Sequence, residues 1–196
     1  TYTFMRAPVV IDLETKKTFR EVKDNKDLGV SMLGLYSYAD QKQYSFEEKD
    51  LSKAFPLLEG ASVVIGFNII SFDLPVLQPY YPGKVANFKT FDLLDYVKES
   101  IGRRLSLNDL VWATLGKKKS GHGLLAIEYY REGKIDELRN YCMDDVMLTK
   151  ELFDYGAAHN EIMYLNERGK VSIPTIDWKK YLIPDDDDHS HLTLPF

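Results

Sequence analysis

Residues 138–152 read LRNYCMDDVMLTKEL, and the fold turns on how that stretch is understood. As a helix it sets Leu138, Tyr141, Leu148 and Leu152 on one stripe, at the three- and four-residue spacings of a core-facing side. Asp145 falls inside that stripe, one turn after Tyr141, where a core helix would carry leucine. An ionised carboxylate on an apolar face is costly unless another group neutralises it. The bland alternative is an acid at the rim of the face, paired with an arginine. Whether anything waits for Asp145 has to be sought elsewhere in the chain.

Upstream, LLAIEYYREG ends at Gly133 and reads as a helix. Before it, LSLNDLVWATL (residues 105–115) is an amphipathic helix running into the basic loop GKKKSGHG. PVVIDLE (8–14) and SVVIGF (62–67) read as buried strands, while VSMLGLYSYA and KQYSF form a hairpin turning at Asp40 and Gln41. EEKDLSKAFPLLEG is helical until Gly60, and Ser71 caps a short helix that ends within Pro79 to Pro82. Strands first, then alternating helices and strands, predict an α/β fold: a mixed central sheet with helices packed on it. That domain is expected over residues 1–155. Residues 156–196, with Pro174, Pro184 and the run Asp185–Asp188, are expected to add a helix and a loosely held acidic tail to it.

Composition sets the outer limits. The 196 residues, 44% hydrophobic and 28% charged, suit one globular domain. No run approaches the about 18 apolar residues that cross a membrane, and no signal peptide is visible. The chain opens on Thr1 with Met5 just after, and both a stand-alone protein and a piece cut from a longer chain are expected readings. The lone Cys142 excludes an internal disulfide and fits a reducing compartment, hence the cytoplasm. The net charge of −5 argues weakly against nucleic acid, because four of the 30 acids lie in the Asp185–Asp188 run. Local patches decide more than the total.

Other acids stand in positions as awkward as that of Asp145. Asp12 and Glu14 are two apart in a strand, so both point to one face of an otherwise apolar segment. The plain reading is a strand that ends at Asp12 with both acids in water. Asp73 opens a helix, where a negative charge suits the dipole, with Asn68 as a turn residue. Taken together, carboxylates from a strand and two helices can share a centre only if cations neutralise them. Oxygen ligands of this kind suit Mg²⁺ or Mn²⁺ rather than zinc. Two such ions roughly 3.5–4 Å apart are a standard device for phosphodiester cleavage.

In their order and spacing, IDLET, GFNIISFD and YCMDD resemble the three exonuclease motifs of the DEDD superfamily. The tyrosine of the third motif is similar to the branch containing the proofreading domain of family B DNA polymerases. Ribonuclease-H-like nuclease domains found beside helicases are a second likeness. The resemblance implies a ribonuclease-H-like fold and 3′→5′ exonuclease chemistry with two divalent ions, releasing nucleoside 5′-monophosphates. It implies Asp12, Glu14 and Asp145 as direct ligands, Asp12 bridging both ions, and Asp73 holding the second ion through water. Tyr141 would orient and help deprotonate the attacking water. Asp144 lies at the edge of the same helix. The sister branch uses a histidine shortly before the final aspartate, but His122 lies far upstream of Asp145.

A strand end must also be delivered. Arg103, Arg104, Lys117, Lys118 and Lys119, with His122 nearby, form a basic concentration able to contact phosphates, or simply a solubilising surface. Asn68 and Phe72 are placed to hold terminal nucleotides, and Thr15 to approach the 3′-OH. The expected partner is nucleic acid, as single strands or 3′ ends, DNA favoured over RNA, within a replication, repair or helicase assembly. An inactive scaffold and an endonuclease of the same fold are the alternatives.

Overall fold

The computed structural model describes residues 6–118, 121 and 124–183. Its centre is β1 (Val9–Thr15), an apolar strand buried between neighbours on both edges. On one side β1 pairs antiparallel with β2 (Val30–Ser37), which pairs antiparallel with β3 (Lys42–Glu47). The turn between β2 and β3 falls where Asp40 and Gln41 placed it, with Gln41 left-handed at φ 56°. Between β3 and the next strand lie a 3₁₀ segment (Glu48–Lys53) and α1 (Phe55–Glu59). On the other side of β1, β4 (Val64–Gly66) and β5 (Thr90–Asp92) run parallel to it, giving the order β3-β2-β1-β4-β5. Parallel neighbours require a crossover, and α2 (Asp73–Leu77) lies within the connection from β4 to β5.

Strand alternation divides β1 between two cores. Val9, Ile11 and Leu13 pack with Leu33, Leu35, Leu58 and Leu77 on one face. Val10 faces the other way, into a cluster with Leu110, Val146 and Phe153. Asp12 and Glu14 continue the row of Val10. The side they face is covered by α3 (Leu93–Ile101), α4 (Leu107–Leu115), α5 (Leu124–Arg131) and the 25-residue α6 (Ile135–His159). Gly34, the register partner of Asp12, lets α6 lie close to the sheet. A Cβ there would stand 2.8 Å from Val146 Cγ2 and 3.0 Å from Cys142 Sγ.

Two details fasten the end of β1. Its register with β2 shifts between Glu14 and Thr15, so Glu14 faces Met32 while Thr15 faces Val30 and Ser31 is extra. Beyond it, Lys16 pairs with Glu48, whose other oxygen accepts the Tyr80 hydroxyl at 2.6 Å.

Two expectations need correction. Ser71 is not the cap of α2; the cap position is Phe72, and no side chain there accepts a helix amide. The expected C-terminal helix is mostly a hairpin, β6 (Glu161–Asn166) and β7 (Gly169–Pro174), followed by a single 3₁₀ segment, Trp178–Leu182. Asn160 ends α6 at φ 58°, and Gly169 at φ 113° closes the hairpin turn. Trp178 is fully buried, stacked on Phe153 at 5.4 Å and lying against Gly156. The run Asp185–Asp188 lies outside the described residues. Among the described residues no helix is long and apolar enough to cross a membrane.

Candidate metal centre

Beside Asp145 stand Asp12 and Glu14. Ligand oxygens of these three carboxylates all lie within 4.8 Å of one another. Asp145 is 3% exposed, so its charge is largely cut off from water. Three acids gathered in poor solvent repel one another, and a cation reverses the sign of that interaction. The donors are all carboxylate oxygens, hard ligands on two rigid elements, and they could hold a divalent metal ion. Cys142, next to Tyr141 in the chain and close to Asp12, is not among the clustered donors. Burial first, then the charges of Asp12, Glu14 and Asp145, push its thiol well above the usual range. Its Sγ lies 3.5 Å from the Asp12 carbonyl oxygen.

Tyr141 sits one turn before Asp145, buried with Met32, Ala126 and Leu138. Gly121, at φ 99°, comes close to its ring, and a Cβ there would be 3.4 Å from Cε2. Asp73 heads α2 and is buried, but it is not one of the three clustered acids. Burial pushes its carboxyl up to about 8, the charge of Asp92 adds to the rise, and the amides of Asp73 and Leu13 oppose it. The Leu13 amide lies between Asp12 and Glu14 in the chain, which puts Asp73 against the same stretch of β1. Asp144 is exposed on α6.

A cleft of about 440 Å³ opens beside Glu14, lined by Thr15, Phe19, Phe72, Leu124 and Ile127 among others. Phe72 and Phe19 face each other across 5.7 Å. Thr15 donates its hydroxyl to the Lys17 carbonyl at 2.9 Å. Asn68 takes φ 66°, and its side-chain oxygen accepts from Arg104 at 2.9 Å. The remaining basic residues have separate neighbours: Arg103 lies over the Tyr164 ring, Lys117 pairs with Glu151, and Lys118 lies over Trp112. Lys119 and His122 fall outside the described residues.

Sequence reasoning missed Phe19, which is 65% exposed, and the α5 wall formed by Leu124 and Ile127. A lone aromatic in the charged loop TKKTFREVKDNKD was the available signal.

The order of strands and the acidic trio define a ribonuclease-H-like α/β domain. A family model of the RNase_H superfamily matches residues 9–156, and the chain belongs to that superfamily. No curated protein matches the sequence. Among solved structures, the family B DNA polymerase of the hyperthermophilic archaeon Pyrobaculum calidifontis is similar, at 19% identity and a TM-score of 0.59 over 76% of this chain. RNase D of Trypanosoma brucei is similar in its GMP complex (16% identity, TM-score 0.58) and in its complex with RNA U12 (15%, 0.56), each over 76% of this chain. The chain spans 24% of the polymerase and 50% and 55% of the two RNase D chains.

Proposed function

We propose that this chain is a metal-dependent 3′→5′ exonuclease of the tyrosine-bearing DEDD branch, acting on single-stranded 3′ ends, DNA in preference to RNA. One observation carries the reading: Asp12, Glu14 and Asp145 gather within 4.8 Å, with Tyr141 a single helical turn from Asp145. Asp12, Glu14 and Asp145 would hold two Mg²⁺ or Mn²⁺ ions, with Asp73 beside them. When bound, the ions supply Lewis-acid stabilisation of the phosphate and of the leaving oxygen.

The chain's own groups do the rest. Tyr141 offers a hydroxyl to orient the attacking water and move its proton. Phe19 and Phe72 offer rings to unpaired bases, a contact that tolerates any sequence. Thr15, which lines the cleft, would meet the terminal sugar hydroxyl. Arg104, through Asn68, sets the loop that bears Phe72 and Asp73. A product of one nucleoside 5′-monophosphate per cycle follows from attack at the last phosphodiester.

End-labelled single-stranded DNA and RNA, each blocked at the 3′ or the 5′ terminus, test this in Mn²⁺. Stepwise shortening from an open 3′ end, abolished by Asp12→Ala, is the expected result. Nicking of a circular strand would favour an endonuclease. Strand binding without metal binding would favour a scaffold.

A further inference from the structure

Asp92 ends β5 and caps α3, and its charge is felt by Asp73. It is 5% exposed. Its Oδ1 accepts the amides of Leu94 at 3.0 Å and Asp95 at 3.4 Å, the ordinary task of an N-cap. The same oxygen also accepts the Asn68 amide at 2.8 Å, and Oδ2 accepts that of Ile70 at 3.0 Å. One carboxylate thus satisfies four amides in two separate segments. A cap needs only one oxygen, so the second grip is extra. What it grips is the turn leading from β4 into α2, where Asn68 adopts a left-handed backbone that a non-glycine residue rarely takes. That turn delivers Phe72 to the cleft and Asp73 to the flank of β1.

We infer that Asp92 is a positioning residue for the metal centre: by clamping the Asn68 and Ile70 amides it fixes where the Asp73 carboxylate stands. The inference rests on the nuclease reading only in taking Asp73 as part of that centre. Groups behind metal ligands commonly set affinity and rate as strongly as the ligands do.

Asp92→Ser, Asp92→Asn and Ser106→Ala test it. Serine still caps α3 but is too short to span to both loop amides. Asparagine keeps one oxygen and turns an NH₂ towards the Ile70 amide, donor against donor. Ser106 caps α4 by accepting the Asp109 amide at 3.1 Å and holds no loop, so its alanine variant isolates the loss of a cap.

The first readout is amide hydrogen exchange of the metal-free protein, and the second is calorimetric Mn²⁺ titration. In Asp92→Ser, exchange should quicken at Asn68 and Ile70 while Leu94 stays protected. Mn²⁺ affinity should fall about 10-fold or more, with kcat on a single-stranded oligonucleotide falling in parallel and KM nearly unchanged. Asp92→Asn should show the same pattern at smaller amplitude, and it carries the test if the serine variant fails to fold. Ser106→Ala should lose stability alone. Wild-type Mn²⁺ affinity in both Asp92 variants, or an equal loss in Ser106→Ala, would overturn the inference. Exchange and titration need no turnover, so they decide the role of Asp92 even if the protein cleaves neither DNA nor RNA, an outcome that would sink only the nuclease reading.

Discussion

Tyr141 makes the sharpest claim at the scale of single residues, because phenylalanine preserves its ring and removes only the hydroxyl. Tyr141→Phe should lower kcat about 100-fold, within the range of a general acid–base group, and leave KM and Mn²⁺ affinity nearly unchanged. Equal activity in the variant would remove Tyr141 from the chemistry. The convergence of Asp12, Glu14 and Asp145 was legible in the sequence because each acid interrupts an apolar pattern of known period. The place of Tyr141, one turn before Asp145, was legible from the helical period. Phe19 was not: its meaning depends on Leu124 and Ile127, which come from a helix more than a hundred residues away. Asp92 went unread, although an aspartate before LLDYV suits a helix cap. Its second grip, on Asn68 and Ile70, exists only once β4 and β5 lie side by side.

Among the elements, contact between α6 and the sheet depends on Gly34. Gly34→Ala would force its Cβ into Val146 and Cys142, pushing α6 away from β1. Overpacking of this kind costs about 1–3 kcal/mol, and chemical denaturation should show a loss of that size, with Mn²⁺ affinity weakened as Asp145 withdraws. The tip of β1 depends on Glu48. Burial opposes ionisation of Glu48, but hydrogen bonds from Lys16 and Tyr80 outweigh it and hold the carboxyl below its ordinary 4.5. A depressed carboxyl stabilises the fold above its unfolded value and loses that contribution as pH falls through the folded one. The melting-temperature gap between wild type and Glu48→Gln should therefore be complete at neutral pH and close as the medium turns more acid than about pH 4.5. A gap that widened on acidification would contradict it. Sequence reading placed β1 to β4 and the long helix because their patterns are strong, and it passed over β5, a strand of three residues. It misjudged β6 and β7, whose alternation is brief and whose inner residues, the register partners Ile162 and Ile173, are buried in one cluster with Leu110, Phe153 and Trp178 from distant parts of the chain.

For the molecule as a whole, an ion held by the acidic trio would couple metal binding to folding. Mn²⁺ at about 100 times its dissociation constant should stabilise the native state by roughly 2.7 kcal/mol. For a domain of this size that is a rise of roughly 5–10 °C in melting temperature. A flat melting curve under saturating Mn²⁺ would mean that the acids form no ion site. The chain covers about a quarter of the similar polymerase and half of the similar RNase D.

The offset at Ser31 carries a genetic consequence. With that residue extra, Thr15 meets Val30 while Glu14 keeps its place opposite Met32, and both line the cleft. An in-frame codon deletion there would iron the ladder flat and swing the strand tip, with the loop behind it, off its mark. Exchanges of one letter for another leave that backbone offset in place. Mutational libraries of this hairpin should therefore tolerate altered spelling far better than altered length.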